Sequence, residues 1–157
     1  MIPAPTRPAR ILILASKLGY QTRAFTDAAK KLNLEISFGT DRCHKLDDPW
    51  SDGALALHFE NPVSAAAEIV AQISVNRPDA ILALGDRPTA TAAHAARASG
   101  IPGNSPESVE VCRNKLRQRQ TLRRAQLPVP DFFDFAAAGN LDAPLARLKY
   151  PCVLKPL

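Results

Sequence analysis

The sequence predicts an α/β protein built on a parallel sheet, and three observations predict it. Short apolar runs recur along the first hundred residues, ILILA at 11–15 and AILAL at 80–84 among them. Stretches between them place apolar side chains three and four residues apart, the spacing of one helix face. Asparagine, proline and glycine fall where those patterns change, as turn and capping residues do. Strands alternating with helices pair in parallel through right-handed crossovers, so the expectation is a small doubly wound, Rossmann-like unit.

The elements follow in order. ILILA has no polar alternation and reads as a strand buried on both faces. Phe25, Ala28, Ala29 and Leu32 then share a helix face. In LEISF, at 34–38, Leu34, Ile36 and Phe38 alternate with Glu35 and Ser37, a strand with one wetter side. GTDRCHKLDDPWSDG, at 39–53, holds glycine, proline and several aspartates and reads as a loop. ALALH at 54–58 is a third strand candidate. Asn61 and Pro62 form an N-cap and a first helical position, ahead of Ala66, Ile69, Val70 and Ile73 at helical spacing. Pro78 closes that segment before AILAL, and an alanine-rich helix ends near Gly100, where a left-handed C-cap suits a residue without Cβ.

Composition narrows the function classes. The chain has 157 residues, 46% of them hydrophobic, enough for a real core. No apolar run approaches the roughly 20 residues of a membrane span, and the opening MIPAPTRPAR has prolines where a signal peptide has its apolar stretch. A cytoplasmic location without membrane partners is the expectation. Cys43, Cys112 and Cys152 are odd in number and widely spaced, which forms neither a disulfide framework nor a metal pattern. Cys43 adjoins His44, but sequence neighbours rarely aim at one atom, which argues against a catalytic dyad. The formal net charge of +5 attracts polyanions, either nucleic acid or nucleotide phosphates.

In open α/β sheets ligands bind beyond the carboxyl ends of the strands. Ser16, Lys17 and Gly19 stand there after the first strand, and Gly85, Asp86 and Arg87 after AILAL. Ser16, Asp86 and Arg87 are the candidate substrate contacts, with helix capping and surface ion pairing as the competing roles. ASKLGY contains one glycine, so the close backbone approach of a dinucleotide site is missing. Asp41 is either a ribose ligand or a loop carboxylate. A receiver-type domain needs an acidic pair after the first strand, and Ala15-Ser16-Lys17 supplies none.

Ser105-Pro106-Glu107 reads as a helix start. Arg113, Lys115, Arg117, Arg119, Arg123 and Arg124 follow within a short helical stretch in which Asn114 offers a second cap, before Pro128 ends the pattern and DFFDF begins a new strand. Three readings stay open: a solvated amphipathic helix, a nucleic-acid surface held by phosphate contacts, and a nucleotide-phosphate site where a lysine and a helix N-terminus act on one anion. Aromatic residues for base stacking do not interleave with these cations in sequence. The last residues, YPCVLKPL, alternate as a strand, with Val153 and Lys155 on one side. A lysine there must reach water or meet an anion.

The order N-K…R…L…A-x-L-P-V-P…Y-P-C-V-L-K-P, over residues 114–157, resembles the opening of the ATP-grasp fold. The α/β unit before it is similar to the pre-ATP-grasp domain of biotin carboxylase, the carbamoyl-phosphate synthase large chain and purine-pathway carboxylate–amine ligases. The resemblance implies a pre-ATP-grasp domain over 1–112 and the beginning of a nucleotide-binding domain over 113–157. It implies that Lys115 contacts ATP phosphate and that Lys155, 40 residues on, holds the α- and β-phosphates. Asn114 stands where aspartate is commoner, and either residue caps a helix. It also implies Mg²⁺, small-molecule carboxylate and amine (or thiol) substrates, and an acyl-phosphate intermediate. The glycine-rich phosphate loop, the adenine hinge and the late acidic Mg²⁺ ligands of the family have no counterpart in this sequence. The expectation is therefore an N-terminal part of a longer ATP-dependent ligase, inactive alone, with a last strand that lacks a partner. A non-enzymatic nucleic-acid-binding module is the alternative, and homo-oligomerisation is left open.

Overall fold

The computed structural model describes residues 7–16, 20–41, 54–136 and 138–157. Lys17, Gly19, Cys43, His44 and most of the aspartate-rich loop lie outside the described residues. The chain divides into two compact units, Met1–Val109 and Glu110–Leu157.

The first unit is a parallel four-stranded sheet in the order β3-β2-β1-β4. Its strands are β1 (Arg10–Ala15), β2 (Glu35–Thr40), β3 (Leu55–Ala56) and β4 (Ala80–Leu84). The central strand is the one whose sequence lacks alternation: Leu12, Ile13, Leu14 and Ala15 are all buried, because a strand flanked and covered on both sides has no wet face. Leu12 lies opposite Ser37 on one side and Ile81 on the other, and Leu14 opposite Gly39 and Ala83. Helix α1 (Tyr20–Lys31) links β1 to β2, α2 (Pro62–Gln72) links β3 to β4, and α3 (Thr89–Ala98) follows β4. One core joins Leu12 and Leu14 with Leu57, Phe59, Ala66, Ile69, Ile73, Ala92 and Ala95, so α2 and α3 cover the face to which even-numbered β1 residues point. The helix face expected over α1 is different: of Phe25, Ala28, Ala29 and Leu32, only Ala29 is buried.

Local signals set the boundaries. The Asn61 side chain accepts the Ser64 amide at 3.2 Å, with Pro62 in the first turn of α2. Gly100 takes a φ of 61° after α3, and the following Ile101 amide returns to the Ala96 carbonyl at 2.9 Å. Helix α4 (Pro106–Arg113) starts with the Ser108 amide on Ser105 Oγ at 3.1 Å. The Arg97 guanidinium grips the Glu107 carboxylate with both terminal nitrogens, Nη1 to Oε1 at 2.7 Å, and these hydrogen bonds hold Glu107 down to about 2. At the amino edge of the sheet the Asp79 carboxylate receives both Arg7 terminal nitrogens at 2.9 Å and the Arg10 amide at 2.8 Å. Those bonds, the Arg7 side chain's first, keep Asp79 below the usual carboxylate range.

The second unit carries α5 (Lys115–Arg124) and α6 (Asp142–Ala146). No residue of α5 is buried. Two phenylalanines of DFFDF serve as seats for cations: Arg123 stacks over Phe132 at 4.2 Å and Arg147 over Phe133 at 4.4 Å. No strand ladder forms at 131–135 or at 150–157, and residues 151–157 are exposed. Alternation alone specifies faces; a strand also needs a neighbour for its amides, and these segments find none among the described residues. No helix among the described residues is long and apolar enough to cross a membrane.

Two outcomes follow. A Cβ added at Gly39 would sit 2.7 Å from both Leu14 Cδ2 and Leu57 Cδ1, so Gly39→Ala overpacks the core and is expected to lower the urea-unfolding free energy by about 1–3 kcal/mol. The Glu107 carboxyl, followed by NMR, is expected to titrate near 2 and to return toward the ordinary 4.5 in Arg97→Gln. Because folding lowers its pKa, the pair's stabilising contribution is complete above pH 4.5 and is lost as the pH falls through about 2.

Candidate functional site

Strand order gives the first coordinate of the site. The chain runs outward from β1 to β2 and β3, then returns to the other flank of β1 with β4. Such a reversal opens a crevice at the carboxyl ends of the two strands that part company, here β1 and β4. Ser16 follows β1, and Gly85, Asp86 and Arg87 follow β4.

Two of the three expected contacts converge on a carboxylate from the neighbouring strand. Ser16 Oγ donates to Asp41 Oδ2 at 3.1 Å, and Arg87 Nε lies 3.2 Å from the same oxygen. Asp41 follows β2 directly, and its side chain is only 9% exposed. The Arg87 guanidinium also ion-pairs through Nη2 with Glu60, beside the α2 cap. Asp86 plays a backbone role: its carbonyl accepts Thr89 Oγ1 at 2.5 Å and the Thr89 amide at 3.3 Å, closing the turn into α3. Gly85 has a φ of 86°, and among the described residues nothing lies within 4 Å of where a Cβ would stand. Only glycine adopts that backbone readily.

The burial contrast ranks these pairs. An ion pair between groups as open as Arg87 and Glu60, at 50% and 62%, is weak in water. Asp41 has lost most of its solvation and depends on its partners. Its Oδ2 has two, whereas Oδ1 is buried without a hydrogen bond among the described residues. Sequence reasoning kept Asp41 as a loop carboxylate or ribose ligand and passed over Glu60. The position of Asp41 straight after a strand was the available signal; Glu60 had none, because its partner is distant in sequence.

The other two candidates, Lys115 and Lys155, fall in the second unit. Lys115 is the first residue of α5, and Asn114 caps it by accepting the Arg117 amide at 3.0 Å. Lys155 is exposed in the extended segment after Pro151. Among the described residues no carboxylate comes within ion-pair distance of either lysine. A 340 Å³ depression at the amino edge, lined by Arg7, Arg77 and Asp79, offers less chemistry. Arg77 is committed there to the Ser99 and Gly100 carbonyls, and Arg7 to Asp79. No group of three or more His, Cys, Asp or Glu side chains among the described residues could hold a metal ion.

No family profile matches the chain. An uncharacterized protein, y4rH, from Sinorhizobium fredii (strain NBRC 101917 / NGR234) is 40% identical over 67 residues, 43% of this chain and 14% of that protein. The crystal structure of L-amino acid ligase from Bacillus licheniformis matches with a TM-score of 0.69 and 24% identity, over 94% of this chain and 36% of that one. Phosphoribosylglycinamide synthetase from Anaerococcus prevotii matches with a TM-score of 0.58 and 18% identity, over 76% of this chain and 29% of that one. At these identities the solved structures show a shared α/β fold, and this chain spans well under half of each.

The carboxyl-edge cluster yields a quantitative expectation. A double-mutant cycle between Asp41→Asn and Arg87→Gln, read by urea unfolding, is expected to give a coupling of about 1–3 kcal/mol, as for a hydrogen bond to a charged group. The cycle between Arg87→Gln and Glu60→Gln is expected to give less than about 1 kcal/mol.

Proposed function

We propose that this chain is part of an ATP-dependent carboxylate–amine (or carboxylate–thiol) ligase of the ATP-grasp type, supplying a substrate-side domain and the first part of the nucleotide-binding domain. The observation that carries the reading is the fold match to an L-amino acid ligase over 94% of this chain. Agreement with the motif order of residues 114–157 supports it independently, since that order is read without reference to any fold. The substrate-side domain is proposed over 1–112 and the nucleotide-binding part over 113–157.

Lys115 and Lys155 are the proposed ATP-phosphate ligands. The chemistry at Lys115 suits an anion: the ammonium stands at the positive end of a ten-residue capped helix. Both lysines belong to the same compact unit, which is compatible with one shared triphosphate. The described residues offer no group of three or more His, Cys, Asp or Glu ligands for Mg²⁺. In the whole ligase, the resemblance implies phosphorylation of a substrate carboxylate and displacement of phosphate from the acyl carbon by the amine. Ser16, Asp86 and Arg87 remain the proposed substrate-side contacts, with Asp86 contributing through its turn.

Titration of the 157-residue protein with ATP, followed by ¹⁵N–¹H NMR, tests the reading. The expected result is a saturable response of α5 amides with a dissociation constant of about 1 mM or weaker, because a few lysine–phosphate contacts of about 1–3 kcal/mol each must also order the site. Lys115→Ala and Lys155→Ala are each expected to weaken it about tenfold, and no ATP turnover is expected. Silence of α5 toward ATP, together with micromolar oligonucleotide binding that falls steeply with salt, would instead establish the nucleic-acid module.

A further inference from the structure

We infer that the second unit binds single-stranded nucleic acid along α5, with Lys115, Arg119 and Arg123 on its phosphates and the stacked pair of Arg123 and Phe132 against a base. The inference goes beyond the ligase reading and does not depend on it. Charge distribution is the first observation. Residues 110–157 hold nine lysines and arginines against four carboxylates, whereas residues 1–109 hold eleven of each, so the whole formal charge of +5 resides in the second unit. One of the nine, Arg113, pairs with Glu110. Among the described residues the other eight meet no carboxylate within ion-pair distance. Helix geometry orders part of that charge. Lys115, Arg119 and Arg123 recur at four-residue intervals, so they share one side of α5, about 6 Å apart along its axis. That step is close to the length of one nucleotide in an extended strand.

The last cation of that row decides the class of polyanion. The Arg123 guanidinium lies 4.2 Å over the Phe132 ring, and Arg123 is exposed while Phe132 is half-buried. A guanidinium is planar: with one face on the ring, its second face can stack on a base while its edge N–H groups reach a phosphate. Cations and aromatic rings are separated in the sequence, but the fold brings them together here and again where Arg147 lies over Phe133. Four of the five cations of α5 are arginines, whose fork matches phosphate oxygens. Asp131 and Asp134, both exposed, flank the rings in sequence and disfavour a phosphate beside them, so the backbone is assigned to α5 and the base to the ring. A membrane surface suits α5 poorly, because its leucines, Leu116 and Leu122, are half-buried and leave no apolar stripe to insert. An acidic peptide supplies charge without the flat rings that the Arg123–Phe132 stack takes.

The test uses the 157-residue protein and fluorescein-labelled probes of about 12 nucleotides, read by fluorescence anisotropy at about 50 mM salt. The probes are oligo-dT, an abasic strand with the same number of phosphates, and the oligo-dT–oligo-dA duplex. Oligo-dT is expected to bind with a dissociation constant of about 10 μM and to weaken as salt rises, with a log–log slope of about −2 for three phosphate contacts on a single strand. The abasic strand is expected to bind about tenfold more weakly. Phe132→Leu is expected to weaken oligo-dT about tenfold and leave the abasic strand unchanged, whereas Arg119→Gln is expected to weaken both and to reduce the slope by about 0.7. Should Phe132→Leu fail to fold, Arg123→Lys, which keeps the charge at an exposed position and removes the flat face, is expected to give the same split. Equal affinity for oligo-dT and the abasic strand, a duplex bound as tightly as the single strand, displacement by poly-L-glutamate at equal charge, or no saturable binding would overturn the inference. The α5 amides separate it from the ligase reading. ATP response at α5 without oligonucleotide binding removes the nucleic-acid surface alone; oligonucleotide binding with α5 silent toward ATP removes the ligase assignment and leaves the surface standing.

Discussion

The position of β1 is the constraint on which the rest of the first unit depends. A strand paired on both flanks and covered on both faces can carry no polar side chain along its length, and 11–15 carries none. Its polarity is displaced to its two ends. At the amino end the Arg10 amide and the Asp79 carboxylate tie β1 to the start of β4, with Arg7 closing the pair. At the carboxyl end Ser16 reaches across to the residue that follows β2. Both clusters are consequences of one buried strand, but they differ in solvation. The amino-edge pair of Arg7 and Asp79 is open to water, each side chain 46% exposed, whereas Asp41 is enclosed. Exposed pairs orient side chains at little gain in stability, while an enclosed carboxylate compels its neighbours to satisfy it.

That difference sets the carboxyl edge apart from the amino edge. A sheet with its strands in the order β3-β2-β1-β4 brings three loops to one corner, each from a different part of the sequence. No single loop could enclose a carboxylate and still present a serine, an arginine and an open glycine turn. The sheet does so because parallel strands deliver all their carboxyl ends to one side. Gly39 shows how little slack the arrangement has: it packs beside Leu14 and Leu57 only because it lacks a Cβ, and Asp41 lies two residues beyond it.

Features carried by a residue and its near neighbours were legible in the sequence. Asn61 with Pro62, Ser105 with Pro106, and Asn114 each cap the helix expected of them, and Gly100 takes the left-handed turn. Each depends on backbone groups within about four residues, so spacing alone contains the information. The unbroken apolar run of β1 likewise announced burial on both faces. Features that depend on distant partners were not legible. The apolar spacing at Phe25, Ala28, Ala29 and Leu32 is a helix face, yet only Ala29 reaches the core; periodicity says which residues share a side and not whether anything packs there. DFFDF reads as the start of a strand, but the rings of Phe132 and Phe133 meet Arg123 and Arg147 instead of a neighbouring strand. The convergence of Ser16 and Arg87 on Asp41 spans 25 residues in one direction and 46 in the other, beyond any local pattern.

The second unit handles charge in the opposite way, and the contrast bears on what each could bind. In the first unit the arginines at the sheet edges are neutralised: Arg7 by Asp79, Arg10 by Glu35, Arg87 by Asp41 and Glu60, Arg97 by Glu107. In α5, Lys115, Arg117, Arg119, Arg123 and Arg124 meet no carboxylate within ion-pair distance among the described residues, and no side chain of that helix is buried. Arg123 is held by an aromatic face, which orients a guanidinium without cancelling its charge. Among the described residues, the arginines at the sheet edges are therefore charge-paired, whereas the cations of α5 stand without carboxylate partners.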